Sequence, residues 1–474
     1  MKAVPDMIVE HAPQRISGAA HAFALRDSDD DLDAGLAIAR KHANWTFVAL
    51  PAPIVAAPGF VAAWRHAPVV AWSSQALTIV GIGAALELRG TGVARWREII
   101  AEAARIEASA ILDRSGASDR GMIKPRLLGG VAFAPGAADA APWTGFGDAW
   151  FMLPRWTYVH DGARAALVLA VDARDAQHAG RWRDELDALR SALAAGFAPR
   201  PQPPLVEMDP GDRDAWRAQV RAITDAIRAG ECAKIVAARS AVVTLAGEAR
   251  VADMLAELDA RHADCVRVLV QPPGGGSLVA ATPERLVALD GTAVACDALA
   301  GSIARVGDRD AGELRASAKD RNEHEIVVHA IASALRALDA DVRFPVEPGV
   351  RTLRHVLHLH TPIAATLRTR RHVLELAAAL HPTPAVGGTP TQIATDWIAA
   401  HEVVPRGWYA APVGWFDLDG NGELAVAIRS GLVAGERAHL WAGAGIVAGS
   451  DPDRELAETD LKLRAMLGAL GVTA

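Results

Sequence analysis

The chain has 474 residues, 51% of them hydrophobic and 22% charged, and a net charge of −7. This composition is globular rather than disordered, and the length exceeds what a single core usually fills. The negative charge argues against a nucleic-acid footprint and means that an anionic ligand must be drawn by a local cationic pocket.

Cys232, Cys265 and Cys296 are too few and too scattered for a disulfide framework or a zinc site, so a reduced, cytoplasmic setting is expected. Met1 to Glu10 lacks a basic stretch followed by an apolar run, and no signal peptide is predicted. The apolar stretch Pro51 to Trp72 is interrupted by Pro51, Pro53, Pro58 and Pro68 and carries Arg65 and His66. It reads as strands and turns, not as a membrane span.

Leu127 to Phe133 and Ala149 to Trp156 read as buried strands punctuated by glycine, and Ala165 to Val171 as a third. A helix is predicted over Ala179–Ala195. The run Pro199-Arg200-Pro201-Gln202-Pro203-Pro204 is a stiff linker. We place the main boundary there, with a lobe over 1–205 and a catalytic region over 206–474. Trp216, Val220, Ile223 and Ile227 repeat at helical spacing within Asp212–Ala229, and Gly230 follows as a stop. Lys234–Leu245 alternates as a strand. Ser277–Leu289 is another, interrupted at Thr282-Pro283. Glu313–Leu338 reads as one long amphipathic helix with Val327, Ile331, Leu335 and Leu338 on a stripe. Strands are predicted at Leu424–Ser430 and Ala438–Val447. A last helix over Pro452–Leu470 has Asp451 as N-cap and Pro452 at its first position.

Three motifs invite other readings. Gly443-Ala444-Gly445-Ile446-Val447-Ala448 mimics a dinucleotide fingerprint, but that fingerprint needs a helix opening at the glycines, and here the strand continues. Asp417-Leu418-Asp419-Gly420-Asn421-Gly422-Glu423 resembles half a calcium loop. Its twelfth position is Ile428 where a bidentate Glu is required, so a hairpin turn is predicted. His355, His358 and His360 have no cysteine or carboxylate nearby to complete a metal site, and read as strand histidines, one of them available to a substrate.

The chemistry lies in charged residues within unusual local contexts. Glu455, Glu458 and Lys462 share one face of the last helix, just after a strand of small residues that admits a ligand to the backbone. Lys319, Asp320 and Glu323 share a face of the central helix beside a buried stripe. Taken singly, each is as readily a solvated face. Glutamates from two helices facing one cavity would suit Mg2+, a hard cation that takes few carboxylates. Pro283 forces irregular backbone that can turn Glu284 into a cleft. Lys234 opens an apolar strand, where desolvation can make a lysine a base, although a lysine there can equally snorkel to water.

These motifs together resemble the chorismate-utilising enzymes. They are Ala233-Lys234-Ile235-Val236-Ala237-Ala238-Arg239, Ala281-Thr282-Pro283-Glu284-Arg285-Leu286, Ala298-Leu299-Ala300-Gly301-Ser302, Lys319-Asp320-Arg321-Asn322-Glu323-His324, Tyr409-Ala410-Ala411-Pro412-Val413-Gly414-Trp415, Ile428-Arg429-Ser430, and Ala442 to Val447 with the Glu455/Glu458/Lys462 helix. The resemblance is firm over residues 212–470 and loose over 1–200. It implies an α+β fold: a large two-lobed sandwich of mostly antiparallel sheets flanked by helices, as in anthranilate synthase component I and aminodeoxychorismate synthase.

The subgroup it resembles most is isochorismate synthase, an isomerase that uses Mg2+. That resemblance implies Lys234 as the base activating water for attack at ring C2 and Glu284 as the acid protonating the departing C4 hydroxyl. It implies Glu323 and Glu458 as magnesium ligands, with Glu455 holding a metal water. Tyr409 and Arg429 resemble the clamp on the enolpyruvyl carboxylate. Gly445 and Lys462 would complete the anion pocket, lined by His360, Gly301 and Ser302. Ala385 stands where relatives that eliminate pyruvate usually carry threonine, which favours release of isochorismate. The alternatives are a salicylate synthase, making salicylate and pyruvate, and a subunit of an aminating enzyme. Lys234 argues against the second, because water attack needs no ammonia channel. Ser302 and Ala280 depart from the family pattern (many members have threonine and glycine there), and the interval from Glu284 to Lys319 is short. The expected partner is chorismate alone, with no nucleic acid, no membrane and no amidotransferase, in a monomer serving siderophore, salicylate or menaquinone synthesis.

Overall fold

A computed structural model describes residues 28–41, 45–64, 68–107, 110–113, 123–305, 307 and 310–472. Met1 to Glu10, Arg65 and His66 lie outside them. Among the described residues, 21 strands connect into one hydrogen-bonded network. Their pairings are antiparallel except that of Trp45–Pro51 with Ala110–Asp113. This is the predicted α+β architecture. No described helix is long and apolar enough to cross a membrane.

Period-two alternation sorts the strand residues between two cores. Phe47, Val70, Trp72, Val268 and Leu278 face one core, while Val48, Val69, Ala71, Leu269 and Val279 face the other. Strands packed on both faces need near-continuous apolar runs, and this explains sequences such as Val69-Val70-Ala71-Trp72. Both cores draw on residues before and after the proline-rich segment at 199–204. The strand Val69–Ser73 pairs with Val266–Gln271, and Arg126–Val131 pairs with Pro412–Asp417. The sheets therefore run across the predicted boundary.

Several elements match their predicted bounds, including the strands Ala165–Val171 and Lys234–Leu245 and the helix Ala179–Ala195. Asp212 and Asp451 cap their helices by accepting from Asp214 and Ala215, and from Asp453 and Arg454. The Asp417–Glu423 segment is a hairpin turn between Pro412–Asp417 and Gly422–Val426. After Gly443 and Gly445 the strand runs to Ile446, and the helix begins only at Pro452, so the dinucleotide fingerprint is absent.

Two predicted elements are corrected. Glu313–Leu338 is not one helix. A short helix Asp310–Ala316 ends, and Ser317 caps a new one, Ala318–Ala337, by accepting from the Asp320 amide. Ser317 with Asp320 three residues on is a capping pattern that competes with helix continuation. Leu424–Ser430 is likewise not one strand. It stops at Val426, turns a corner through Arg429 at φ +50°, and resumes at Ser430.

Five elements frame the site. The strand Lys234–Leu245 lies between Leu205–Asp209 and Arg437–Ile446, and its first residues also pair with Gly388–Thr389. The helix Ala318–Ala337 packs on the strand Ala293–Ala304, and the C-terminal helix Pro452–Ala469 packs on Arg437–Ile446. Glycine in this last strand brings helix and strand side chains close to its backbone.

Candidate active site

Glu284, Gly301, Ser302, Glu323, Ala385, Tyr409, Arg429, Gly445, Glu458 and Lys462 line one cavity. The sequence motifs spread over some 180 residues thus converge. Lys234, Glu455 and His360 do not line it; Lys234 contacts the lining residue Glu323, while Glu455 and His360 pair with Lys319 and Asp297.

Lys234 is fully buried, so it does not snorkel to water. Its Nζ lies 2.8 Å from Glu323 Oε1. A Cβ on Gly445 would fall 2.2 Å from that same oxygen and 2.8 Å from Lys234 Cε. Only glycine leaves room for the pair. Gly445→Ala is therefore expected to lower kcat/KM by about 100-fold, the order of effect of misplacing reacting groups by an ångström. The displaced atoms are side-chain ends, so the melting temperature should change little. Steady-state kinetics and a thermal melt check both.

Glu455 is buried against Lys319, with Nζ 2.8 Å from Oε1, and Glu458 holds Lys462 at 2.7 Å. Lys462 also donates to the Gly443 carbonyl at 2.8 Å. Burial would raise the Glu323 carboxyl, but Lys234, Lys319 and Lys462 outweigh it and hold the group below its ordinary range. Burial and the neighbouring Glu458 push Glu455 up despite Lys319.

Glu284 behaves differently. Thr282-Pro283-Glu284 breaks the edge between the strands Ser277–Thr282 and Arg285–Asp290, and the Glu284 carbonyl accepts from the Val426 amide. The residue is 4% exposed, and its carboxyl has no ion pair among the described residues. Burial pushes its carboxyl up to about 8, with Asp297 adding and Lys234, Lys462 and Arg429 opposing. At neutral pH it holds its proton.

Arg429 reaches the cavity from its left-handed corner, a backbone conformation that costs on the order of 1 kcal/mol and is commonly tied to function. Its Nη2 donates to His358 Nε2 at 2.6 Å, and His358 Nδ1 lies 2.9 Å from Ser302 Oγ. An acceptor at Nε2 requires a neutral ring, and burial followed by the Arg429 charge keeps this imidazole well below its ordinary range. Ser302 meets His358 because the strand register shifts around Gly301, whose φ is +72° and whose Cβ would fall 2.9 Å from Asp320 Cβ. Tyr409, lining the same wall, has its phenol raised by burial.

His360 is instead 2.8 Å from Asp297 Oδ1. Burial would raise the Asp297 carboxyl, but the His360 hydrogen bond and Arg285 hold it low. His358, not His360, lines the cavity. Both occupy the same face of Val356–Leu367, so their two-residue spacing could not distinguish them. Arg406, also in the wall, lies outside the motifs read from the sequence. It ion-pairs with Glu402 and donates to the Val236 and Val386 carbonyls, fastening the lysine strand to the loop carrying Ala385.

Among the described residues, no group of three or more His, Cys, Asp or Glu is placed to hold a metal ion. The carboxylates of Glu323 and Glu458 nevertheless line the same cavity, and each has an oxygen within 2.8 Å of an ammonium. Oxygens already arranged around cations are the donor set that a hard divalent cation uses, and one or two protein carboxylates suffice for magnesium.

A family model described as chorismate binding enzyme matches residues 61–471. The salicylate biosynthesis isochorismate synthase of Pseudomonas aeruginosa is 37% identical over 426 residues, covering 86% of each chain. The menaquinone-specific isochorismate synthase MenF of Escherichia coli superposes with a TM-score of 0.74 at 25% identity, covering 93% of this chain and 100% of that one. Anthranilate synthase component I of Streptococcus pneumoniae shares the fold, with a TM-score of 0.65 at 19% identity over 82% of this chain and 92% of that one.

Proposed function

The chain belongs to the chorismate-binding enzyme family, and from that premise we propose that it is an isochorismate synthase, converting chorismate to isochorismate by water attack at ring C2 and loss of the C4 hydroxyl. The observation that carries this reading is the contrast between two buried carboxyls. Glu284 keeps its proton to about pH 8, while Glu323 is held ionised by lysines. Opposite protonation of neighbouring groups is how one site holds both an acid and anionic ligands at neutral pH.

Glu284 gives its proton to the departing C4 hydroxyl. Lys234 takes a proton from the attacking water, for which it must leave Glu323 and be neutral. Arg429 and Tyr409 hold the enolpyruvyl carboxylate, and neutral His358 fixes the guanidinium direction. Lys462 and the backbone at Gly445 complete the anion pocket. Mg2+ held by Glu323 and Glu458, with Glu455 behind them, would withdraw electron density from the ring carboxylate. The net positive charge of Arg429 over the three lysine–glutamate pairs supports a dianionic substrate. Ala385, small and in the cavity wall, supports release of the first product.

Incubation of the purified protein with chorismate and Mg2+, without ammonia, is expected to give an equilibrating mixture of chorismate and an isomer of equal mass, read by liquid chromatography with mass detection. Salicylate with pyruvate would replace this assignment with a salicylate synthase. Turnover only on adding ammonia would remove Lys234 from its role.

A further inference from the structure

The chain contains 43 arginines and only six lysines. Three of those six, Lys234, Lys319 and Lys462, hold Glu323, Glu455 and Glu458. Elsewhere the buried or half-buried carboxylates are mostly held by arginine, as in Arg406–Glu402, Arg267–Asp259 and Arg239–Asp460. A chain that otherwise prefers arginine uses lysine at Glu323, Glu455 and Glu458, the three glutamates read as the cation site, and pairs no cation with Glu284 among the described residues.

The two cations differ in how they let go. A guanidinium grips a carboxylate through a planar fork, often with two parallel hydrogen bonds. An ammonium is a point charge on a flexible stem and holds one oxygen at a time. Lys319 is 38% exposed at its side chain while its partner Glu455 is 3% exposed, so the ammonium has solvent to swing into and the carboxylate does not. Lys462 already shares itself between Glu458 and the Gly443 carbonyl.

We propose that the three lysines are exchangeable counter-ions. They neutralise the glutamates while the cation site is empty, and a divalent cation enters by taking over carboxylate oxygens that the ammoniums give up. This rests on the reading of Glu323 and Glu458 as cation ligands with Glu455 behind them. Lys319 is then a positioning residue: it holds the Glu455 carboxylate in place and competes with the cation. Arginine at any of the three positions would lock the carboxylate instead.

The test compares Lys319→Met and Lys319→Arg with the unmodified protein, titrating each with MgCl2 by calorimetry in the absence of substrate. Lys319→Met removes the competitor and is expected to tighten Mg2+ binding roughly fivefold, the scale of a partly solvated ion pair. Lys319→Arg strengthens the competitor and is expected to weaken binding by about the same factor. A merely structural lysine would not move affinity in opposite directions in the two variants. Lys319→Arg keeps a cation beside buried Glu455, so it remains informative if Lys319→Met folds poorly. Equal affinities in the three proteins, or weaker binding in Lys319→Met, would overturn the exchange. Turnover of chorismate by the unmodified protein in excess EDTA would instead overturn the metal reading on which it rests.

Discussion

Glu284→Gln is expected to lower turnover by about 100- to 10,000-fold, the range that a positioned general acid supplies. Glutamine keeps the shape and a hydrogen-bond donor but has no proton to give to the C4 oxygen. The same burial that readies the acid makes a second expectation. The Glu284 carboxyl sits at about 8 in the folded chain, against an ordinary unfolded value near 4.3. The folded state therefore binds the proton more tightly, so stability from this group is complete below the unfolded value and is lost as pH rises toward 8. Glutamine does not ionise. The variant should thus be more stable than the unmodified protein, with a gap that widens from pH 5 to 8 and reaches a few kcal/mol. Activity of the unmodified protein should fall above about pH 8 as the acid loses its proton. Thermal melts across that range and a pH–rate profile measure all three. A variant that is inactive but no more stable at pH 8 would mean that the carboxyl is ionised in the folded chain, and the acid role would fall with it.

What the sequence made legible follows from the range of the forces involved. Strands such as Ala165–Val171 and caps such as Asp451 depend on residues a few positions apart, and their bounds could be read directly. The two misread elements also had local causes. The Ser317 cap is a side-chain contact to Asp320, and the Arg429 corner a single left-handed residue, neither of which interrupts the run of residues around it. The motifs marked which residues would meet in a cavity, since glycine, proline and charge in an apolar strand are each costly without a use. The pairing of charges inside the site was not legible. Nothing in the order of residues says that Lys234 meets Glu323 rather than Glu458, or that Lys319 leaves its own helix to hold Glu455. His358 and His360 were indistinguishable for a related reason. Their roles depend on the shift at Gly301 in the neighbouring strand, which sets Ser302 opposite His358 and leaves Asp297 to His360.

Lys234→Met is expected to abolish most turnover, by 100-fold or more if the amine is the base, and also to destabilise the fold. Lys234 is fully buried and its partner Glu323 has 12% of its side chain exposed. Removing one member of such a pair leaves an uncompensated charge and typically costs about 3–5 kcal/mol. Loss of activity alone therefore cannot separate a base from a counter-ion. The double variant Lys234→Met with Glu323→Gln separates them. Replacing both charges with neutral groups of similar volume removes the uncompensated carboxylate, and such replacements are often neutral for stability. Its melting temperature should return to near that of the unmodified protein, while turnover stays lost because neither the amine nor the Glu323 carboxylate is restored. The single variant Glu323→Gln completes the cycle. It keeps the amine, and should retain more of the water-attack chemistry at saturating Mg2+ than the double variant does. If Glu323→Gln kept measurable turnover and the double variant matched it, Lys234 would be a structural counter-ion and the base would have to be sought elsewhere in the cavity wall.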